Sequence, residues 1–390
     1  MPAMQSLTNR RTFLRSAAGA CALVGAGGFV ARGVRGDVKA ASQKTPQPFS
    51  LQTFAGTPRE RGKAYGKQFA PAIDEFLQRE IYQAFIDKPS SKDALLRYAA
   101  ACGAEVKKLS PALAEEVEGI AEGAGKTPEE LVLMSLHEEL YHKSPLPMHG
   151  HCTAVAAGPP TTSDGHTYVG QTWDWIQSVA GMSSLNLLKR KDGPSLLAYG
   201  FPGLWVGAGM NSAGLALCWT SAALGDGKHG AGPRVGIPSY LLLTHLLYQE
   251  SLDDAISEAK RAKQAGWFTF VIADGKGRLA NIEGSPEKLA VEMHKGELVR
   301  VLYGSRQMTG TKEGADVKLH DRCQKMYGHL QERKGKVNGP FLRECFASGD
   351  YGICVGPSTI DMMVYDTTAR RAWLSRGPDY GVDWREFGFE

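Results

Sequence analysis

Apolar residues recur along this chain in two rhythms, and the rhythm changes near residue 152. From Pro58 to Gln83 the spacing is helical, with Ile73, Phe76, Leu77 and Ile81 on one face. Ser90 to Leu109 continues the helical style, with Ser90 and Asp93 placed to cap its start. Ser110-Pro111 predicts the next start, Ser as N-cap and Pro at the first helical position, and Leu113, Val117 and Ile120 then share a face. Thr127-Pro128-Glu129-Glu130 repeats the device as a capping box, opening a helix expected to run through Leu140. A short strand over Phe49–Phe54 is the exception in this half. The pattern is that of a helical scaffold, without a cluster of catalytic residue types.

After residue 152 the apolar runs shorten and alternate. Cys152–Ala157 and His166–Asp174 flank Thr161-Thr162-Ser163-Asp164-Gly165 and predict a hairpin. Leu185–Lys189, Ser195–Tyr199, Trp205–Met210 and Gly214–Thr220 follow as strands, the last two joined by Asn211-Ser212-Ala213. Ser239–Gln249 and Ser251–Ala265 return to helical spacing, the second with Ser251 and Asp254 at capping positions. Trp267–Ala273 and Arg278–Glu283 surround Asp274-Gly275-Lys276-Gly277, a strong hairpin turn. Val291–Met293 and Leu298–Tyr303 are strands, Asp316–Arg333 is helical, and Thr359–Tyr365 with Ala369–Ser375 makes a last hairpin. Strands interrupted by helices in this order predict an α+β fold of stacked sheets with helices outside.

Charge changes the picture only at the N-terminus. The 390 residues carry a net charge of +4. Within the first 40, the six cations Arg10, Arg11, Arg15, Arg32, Arg35 and Lys39 face Asp37 alone, a net of +5, so the remainder carries −1. A nearly neutral body gives no electrostatic footprint for nucleic acid. Asn9-Arg10-Arg11-Thr12-Phe13-Leu14-Arg15 followed by the Ala/Gly-rich stretch Ser16–Ala31 looks like a twin-arginine export signal, with Val38-Lys39-Ala40 as its cleavage site. The expected location is the periplasm or the exterior. Beyond this segment no apolar run is long enough to span a bilayer. The expected organisation is an export signal at 1–40, a helix-rich segment at 41–151 and a strand-rich core at 152–390.

Past the signal lie Cys102, Cys152, Cys218, Cys323, Cys345 and Cys354. No CxxC pair occurs, so a zinc ribbon or a thioredoxin-type site is not expected. His142, His149 and His151 cluster before Cys152 without an acidic ligand pattern, which argues for a loop rather than a metal site. No cofactor is expected.

Cys152 stands where the helical half gives way to the first strand of the core. A thiol at a strand start is most often a small packed hydrophobe. A cut between His151 and Cys152 would give the same residue a free α-amine, joining nucleophile and base. The partner strand ends Gln171-Thr172-Trp173-Asp174-Trp175, which would bring the Asp174 carboxylate near the start of the Cys152 strand. Asn281-Ile282-Glu283-Gly284-Ser285-Pro286 is a further marker; Asn211 in Asn-x-x-Gly reads as a turn residue. Asp174 as a turn cap and Asn281 as a satisfied strand-end amide are the structural alternatives.

Together with Gly56-Thr57-Pro58-Arg59-Glu60-Arg61-Gly62 and the cysteine after Gly-His, these stretches resemble the isopenicillin-N acyltransferase-like family of self-processing N-terminal nucleophile hydrolases. The resemblance implies a four-layer αββα sandwich. It implies Cys152 as nucleophile and new N-terminus after the bond following His151 is cut, Asp174 as the acid that orients the site, and Asn281 as an oxyanion donor. It also implies a small-molecule N-acyl substrate and two fragments that stay associated. Acyl-coenzyme A is not expected outside the cytoplasm, which favours hydrolysis over transfer. Two departures stand out: Gln171 occupies the position where bile-salt hydrolases carry Arg, and Gly356-Pro357-Ser358-Thr359 lacks the Arg that some members place before the last strand pair. Two rival readings are an uncut papain-like thiol hydrolase and a non-enzymatic exported binding protein on the same fold.

Overall fold

A computed structural model describes residues 46–87, 89–143, 152–222, 233–312 and 315–390. The expected export signal, His149 and His151 lie outside these residues, as does the side chain of His142.

The helical half begins with β1, Leu51–Ala55, and α1, Pro58–Phe76. Thr57 and Glu60 close a capping box at the start of α1: the Thr57 hydroxyl accepts from the Glu60 N–H, and the Glu60 carboxylate accepts from the Thr57 N–H. The helix continues through a π turn at Leu77–Tyr82. Ile73, Phe76, Leu77 and Ile81 are all fully buried, as their shared face predicts. Next come α2, Pro89–Leu109, α3, Pro111–Ala124, and α4, Pro128–Ser135. Ser110 caps α3 and the Thr127–Glu130 capping box opens α4. Ser90, expected to precede α2, falls inside it. The helix expected through Leu140 stops at Ser135; Leu136 has ψ 10°, and a separate α5, His137–Lys143, follows.

Small residues set the crossing of α1 and α3. A Cβ on Gly62 would stand 2.1 Å from the Glu116 carbonyl oxygen, and one on Gly119 would stand 2.3 Å from that of Arg59. Only glycine permits backbones this close. At the same crossing Arg61 and Glu116 form a fully buried ion pair at 2.9 Å.

The strand-rich half contains β2, Thr153–Ala157, β3, Tyr168–Asp174, β4, Ser184–Lys189, β5, Leu196–Gly200, β6, Ala208–Asn211, and β7, Leu215–Thr220. Helices α6, Ser239–Leu247, and α7, Leu252–Arg261, come next. Then follow β8, Phe268–Asp274, β9, Leu279–Gly284, β10, Leu289–His294, and β11, Glu297–Arg300. The chain closes with α8, Asp321–Glu332, α9, Gly339–Ala347, β12, Thr359–Asp366, β13, Arg371–Arg376, and β14, Arg385–Phe387. Neither α9 nor β14 is expected from the sequence pattern. Asn338 caps α9, its side chain accepting from the Phe341 N–H at 3.0 Å. The strand expected from Trp205 starts only at Ala208, because Trp205 takes φ 71°.

One sheet runs β1-β4-β5-β6-β7-β8-β9-β10 and the other β11-β2-β3-β12-β13-β14. β2 and β3 face β7 and β8 across the interior. Helices α6 and α7 cover the outer face of the eight-stranded sheet, while α8 and α9 cover that of the six-stranded one. The four layers are therefore αββα, as the resemblance implies. The helical half is not a separate module, since β1 pairs in parallel with β4, Leu51 opposite Leu185.

Candidate active site

The hairpin register brings Cys152 and Asp174 together. Thr153 is the first paired residue of β2 and lies opposite Thr172, so Cys152 stands opposite the Trp173–Asp174 end of β3. The Thr153 N–H donates to Thr172 Oγ1 at 3.2 Å and pins that end. Cys152 is buried beside Asp174 and Gln171. Burial, then the Asp174 charge, pushes the thiol up to about 12. The thiol of the continuous chain is therefore un-ionised near neutral pH. Its carbonyl oxygen accepts from Thr220 Oγ1 at 2.8 Å.

Asp174 ends β3 and is fixed from two sides. Thr359 Oγ1, on β12, donates to Oδ1 at 2.6 Å, and the Arg322 guanidinium donates to Oδ2. Arg322 also reaches Thr153 Oγ1 at 3.3 Å. Burial raises the Asp174 carboxyl to about 6, against the opposing pull of Arg322 and Thr359. Gly356–Thr359 contributes Thr359 to this carboxylate, and the cation beside it comes from α8. Arg322 occupies the first turn of that helix, where a cation opposes the helix dipole. That mismatch is the one local signal that this side chain is held by a partner elsewhere.

Cys152 and Asp174 open on one cavity. Helix α5 supplies His137, Glu138 and Tyr141 to its wall. The ends of β3 and β7 supply Trp173, Trp175, Trp219 and Ser221, and α6 supplies Tyr240. Trp173 stacks on Trp219 with ring centroids 5.6 Å apart. The Ser221 hydroxyl donates to the Glu138 carboxylate. The helical half, read from the sequence as scaffold only, therefore builds one side of this cavity.

Asn281 is buried in β9, in the row Cys218–Val271–Asn281 that faces the other sheet, and it is not among the residues lining the cavity. Its amide donates to Glu283 at 2.9 Å. Glu283 in turn accepts from the N–H groups of Gly304 and Ser305. Asn211 is the turn residue its motif predicts: Oδ1 accepts from the N–H groups of Ala213 and Leu215, and Nδ2 donates to the Leu247 and Gln249 carbonyls. Gln171 accepts from the Trp219 N–H at 2.8 Å, tying the two sheets beside the thiol. Among the described residues no group of side chains has the arrangement of a metal site, and the six cysteines described are free thiols. No helix among them is long and apolar enough to cross a membrane.

Residues 161–304 match the family model of acyl-coenzyme A:6-aminopenicillanic acid acyl-transferase. The sequence resemblance and this match point to one family. The matched stretch includes Asp174, Trp219 and Asn281 and begins after Cys152. No curated protein sequence matches the chain. Among solved structures, an arginine variant of conjugated bile acid hydrolase from Clostridium perfringens is similar at 13% identity and a TM-score of 0.43, covering 61% of this chain and 97% of that one. Penicillin V acylase from Agrobacterium tumefaciens is similar at 13% identity and a TM-score of 0.39, covering 61% of this chain and 86% of its own.

Proposed function

We propose that this chain is an exported, self-processing amidohydrolase of the N-terminal nucleophile type, cleaving the acyl group from a small N-acyl amide. The observation that carries the reading is the meeting of Cys152 and Asp174 at one cavity, at the start of the strand-rich core. The family match over residues 161–304 supports acyl-transfer chemistry. Hydrolysis is preferred to transfer because an exported enzyme meets water rather than acyl-coenzyme A.

In the processing step the Cys152 sulfur attacks the carbonyl carbon of His151. The C–N bond breaks, the nitrogen leaves as the α-amine of Cys152 with the thiol's proton, and a thioester remains. Water opens the thioester, giving the His151 carboxylate and the free thiol. The new amine has a reference pKa of about 8 and can take the thiol proton near neutral pH. This supplies what a buried thiol lacks in the uncut chain. A carboxylate beside the thiol opposes a thiolate but favours a protonated amine, so Asp174 is suited to orienting and stabilising the α-ammonium. Arg322 is the positioning residue for Asp174. In turnover the same sulfur attacks the substrate carbonyl, the amine leaves protonated, and water releases the acid.

Asn281 as oxyanion donor requires its amide to exchange Glu283 for the oxyanion. Association of the fragments after cutting is supported by the β1–β4 pairing and by the Tyr248 hydroxyl, which donates to Glu116 across the two halves. Export is tested by replacing Arg10 and Arg11 together with Lys, which should retain the protein in the cytoplasm. The reading as a whole is tested by intact mass and N-terminal sequencing. Purified protein should give two fragments, the second beginning Cys152-Thr153-Ala154; active protein that is wholly uncut would overturn the reading.

A further inference from the structure

The peptide that joins Cys152 to Thr153 lies where two ladders run out. β2 pairs with β3 from Thr153 onward and with β11 from Ala154 onward. Hydroxyls take the two polar groups of this peptide instead. The Cys152 carbonyl accepts from Thr220 Oγ1 at 2.8 Å, and the Thr153 N–H donates to Thr172 Oγ1 at 3.2 Å. Thr220 ends β7 in the eight-stranded sheet and Thr172 belongs to β3 in the six-stranded one, so the grip comes from both sheets. Both threonines are fully buried. The Thr220 hydroxyl has one proton to give, and its other acceptor, the Ser221 carbonyl, is farther away at 3.4 Å. The Thr172 hydroxyl accepts from Thr153 and turns its own proton toward Asp174 Oδ2 at 3.4 Å. A strand end needs partners for its backbone groups in any case. What marks these two is that they hold the peptide directly after the thiol.

In the uncut chain Cys152 is held by covalent bonds on both sides. If the bond after His151 is cut, the Cys152–Thr153 peptide alone still anchors it along the chain. Fixing that plane leaves the residue two rotations, about Cα–C and Cα–Cβ. A terminus free to swing has two costs. Displacing a reacting atom by 1 Å can slow a reaction by about 100-fold. An acyl group on the sulfur is also open to attack by the residue's own neutral amine. The nitrogen then bonds to the thioester carbonyl, the C–S bond breaks, and the nitrogen's proton passes to the sulfur. The acyl group is left on a stable amide, and the enzyme is dead.

We infer that Thr172 and Thr220 are positioning residues for the processed terminus. They grip the peptide after Cys152 from both sheets, keeping its sulfur aimed at the substrate and its amine on Asp174. The inference rests on the reading of Cys152 as nucleophile and new N-terminus.

The test uses p-nitrophenyl acetate, an activated ester that acylates a thiol without the natural substrate being known. The sulfur takes the acetyl group, p-nitrophenolate leaves, and water then releases acetate. Processed protein with both fragments present is assayed, and Cys152→Ala gives the background. Thr220→Val keeps the shape and removes the hydroxyl. It should still be cut, but kcat should fall roughly tenfold or more while KM stays within about threefold of the parent. Peptide masses should show acetyl on Cys152 that resists hydroxylamine, as an amide does and a thioester does not. Thr220→Ser returns the hydroxyl and should bring turnover back. Should Thr220→Val fail to fold, Thr172→Val strips the other end of the same peptide, with Thr172→Ser as its rescue. Parental turnover in the processed valine variant, a loss that serine does not restore, or a folded variant that stays uncut overturns the grip and leaves the nucleophile standing. Absence of any acetyl transfer through Cys152 in the parent overturns the nucleophile reading and this inference with it.

Discussion

Two arginine–carboxylate pairs, one sealed and one partly open, invite comparison. Arg61 and Glu116 meet at the glycine-lined crossing of α1 and α3, fully enclosed, with the Tyr248 hydroxyl donating to the same carboxylate. Arg322 and Asp174 meet at the end of β3, and there the carboxylate also borders a cavity and a thiol. The ion pairs are chemically alike. What separates them is the far side of the carboxylate: the buried Tyr248 hydroxyl in one case, a cavity beside a thiol in the other. A buried ion pair by itself is therefore no mark of a site. The mark is a pair with room left for a reacting group.

The sharpest way to break the comparison is to remove the thiol. Cys152→Ala should remain a single chain and show no turnover, read by gel mass and by assay on an N-acyl substrate panel. Asp174→Asn keeps the shape and removes the charge. Processing should become slow or absent, and turnover of any processed material should fall by about 100-fold or more. Arg61→Met tests the sealed pair. Leaving Glu116 buried without its partner should cost about 3–5 kcal/mol in denaturant unfolding, while protein that remains folded turns over within about threefold of the parent.

A subtler effect is expected in the pH profile. In the uncut chain burial raises the Asp174 carboxyl to about 6. Processing that needs its carboxylate slows as pH drops through that value, because protonation removes the charge. Arg322 holds this pKa down, so Arg322→Gln should raise it and move the acidic limb to higher pH. A merely structural arginine would lower stability and leave the limb in place. The smallest effect is expected at Asn281. With its amide given to Glu283, Asn281→Ala measured on processed protein should chiefly lower stability. A fall in turnover of about 100- to 1000-fold would instead establish it as an oxyanion donor.

The hairpin that joins Cys152 to Asp174 is legible in the sequence because two constraints agree: the alternation of apolar residues and the turn at Thr161–Gly165. Together they fix the register, and the register fixes which residues meet. Caps at Ser110 and Thr127 are legible for the same local reason. Arg322 and Glu138 are not. Arg322 stands out only as a cation in a first helical turn and Glu138 not at all, and each meets its partner only through packing between distant stretches of chain. Asn281 shows the converse. Its position at a strand in a family-like motif draws attention, yet whether its amide faces the cavity or Glu283 depends on how two sheets stack. The unexpected α9 followed an overlooked local signal, Asn338-Gly339-Pro340, lying in a stretch with few periodic apolar residues.

The parallel pairing of β1 with β4 has a consequence for reversibility. In the uncut chain this strand finds its place as part of one molecule, so closing the sheet costs only loop entropy. If the bond before Cys152 is cut, the same closure joins two molecules, and its effective concentration becomes the actual concentration of the other fragment. Denatured precursor and denatured product, identical but for one peptide bond, would then refold by different laws: the first independently of dilution, the second ever less well as the solution is diluted.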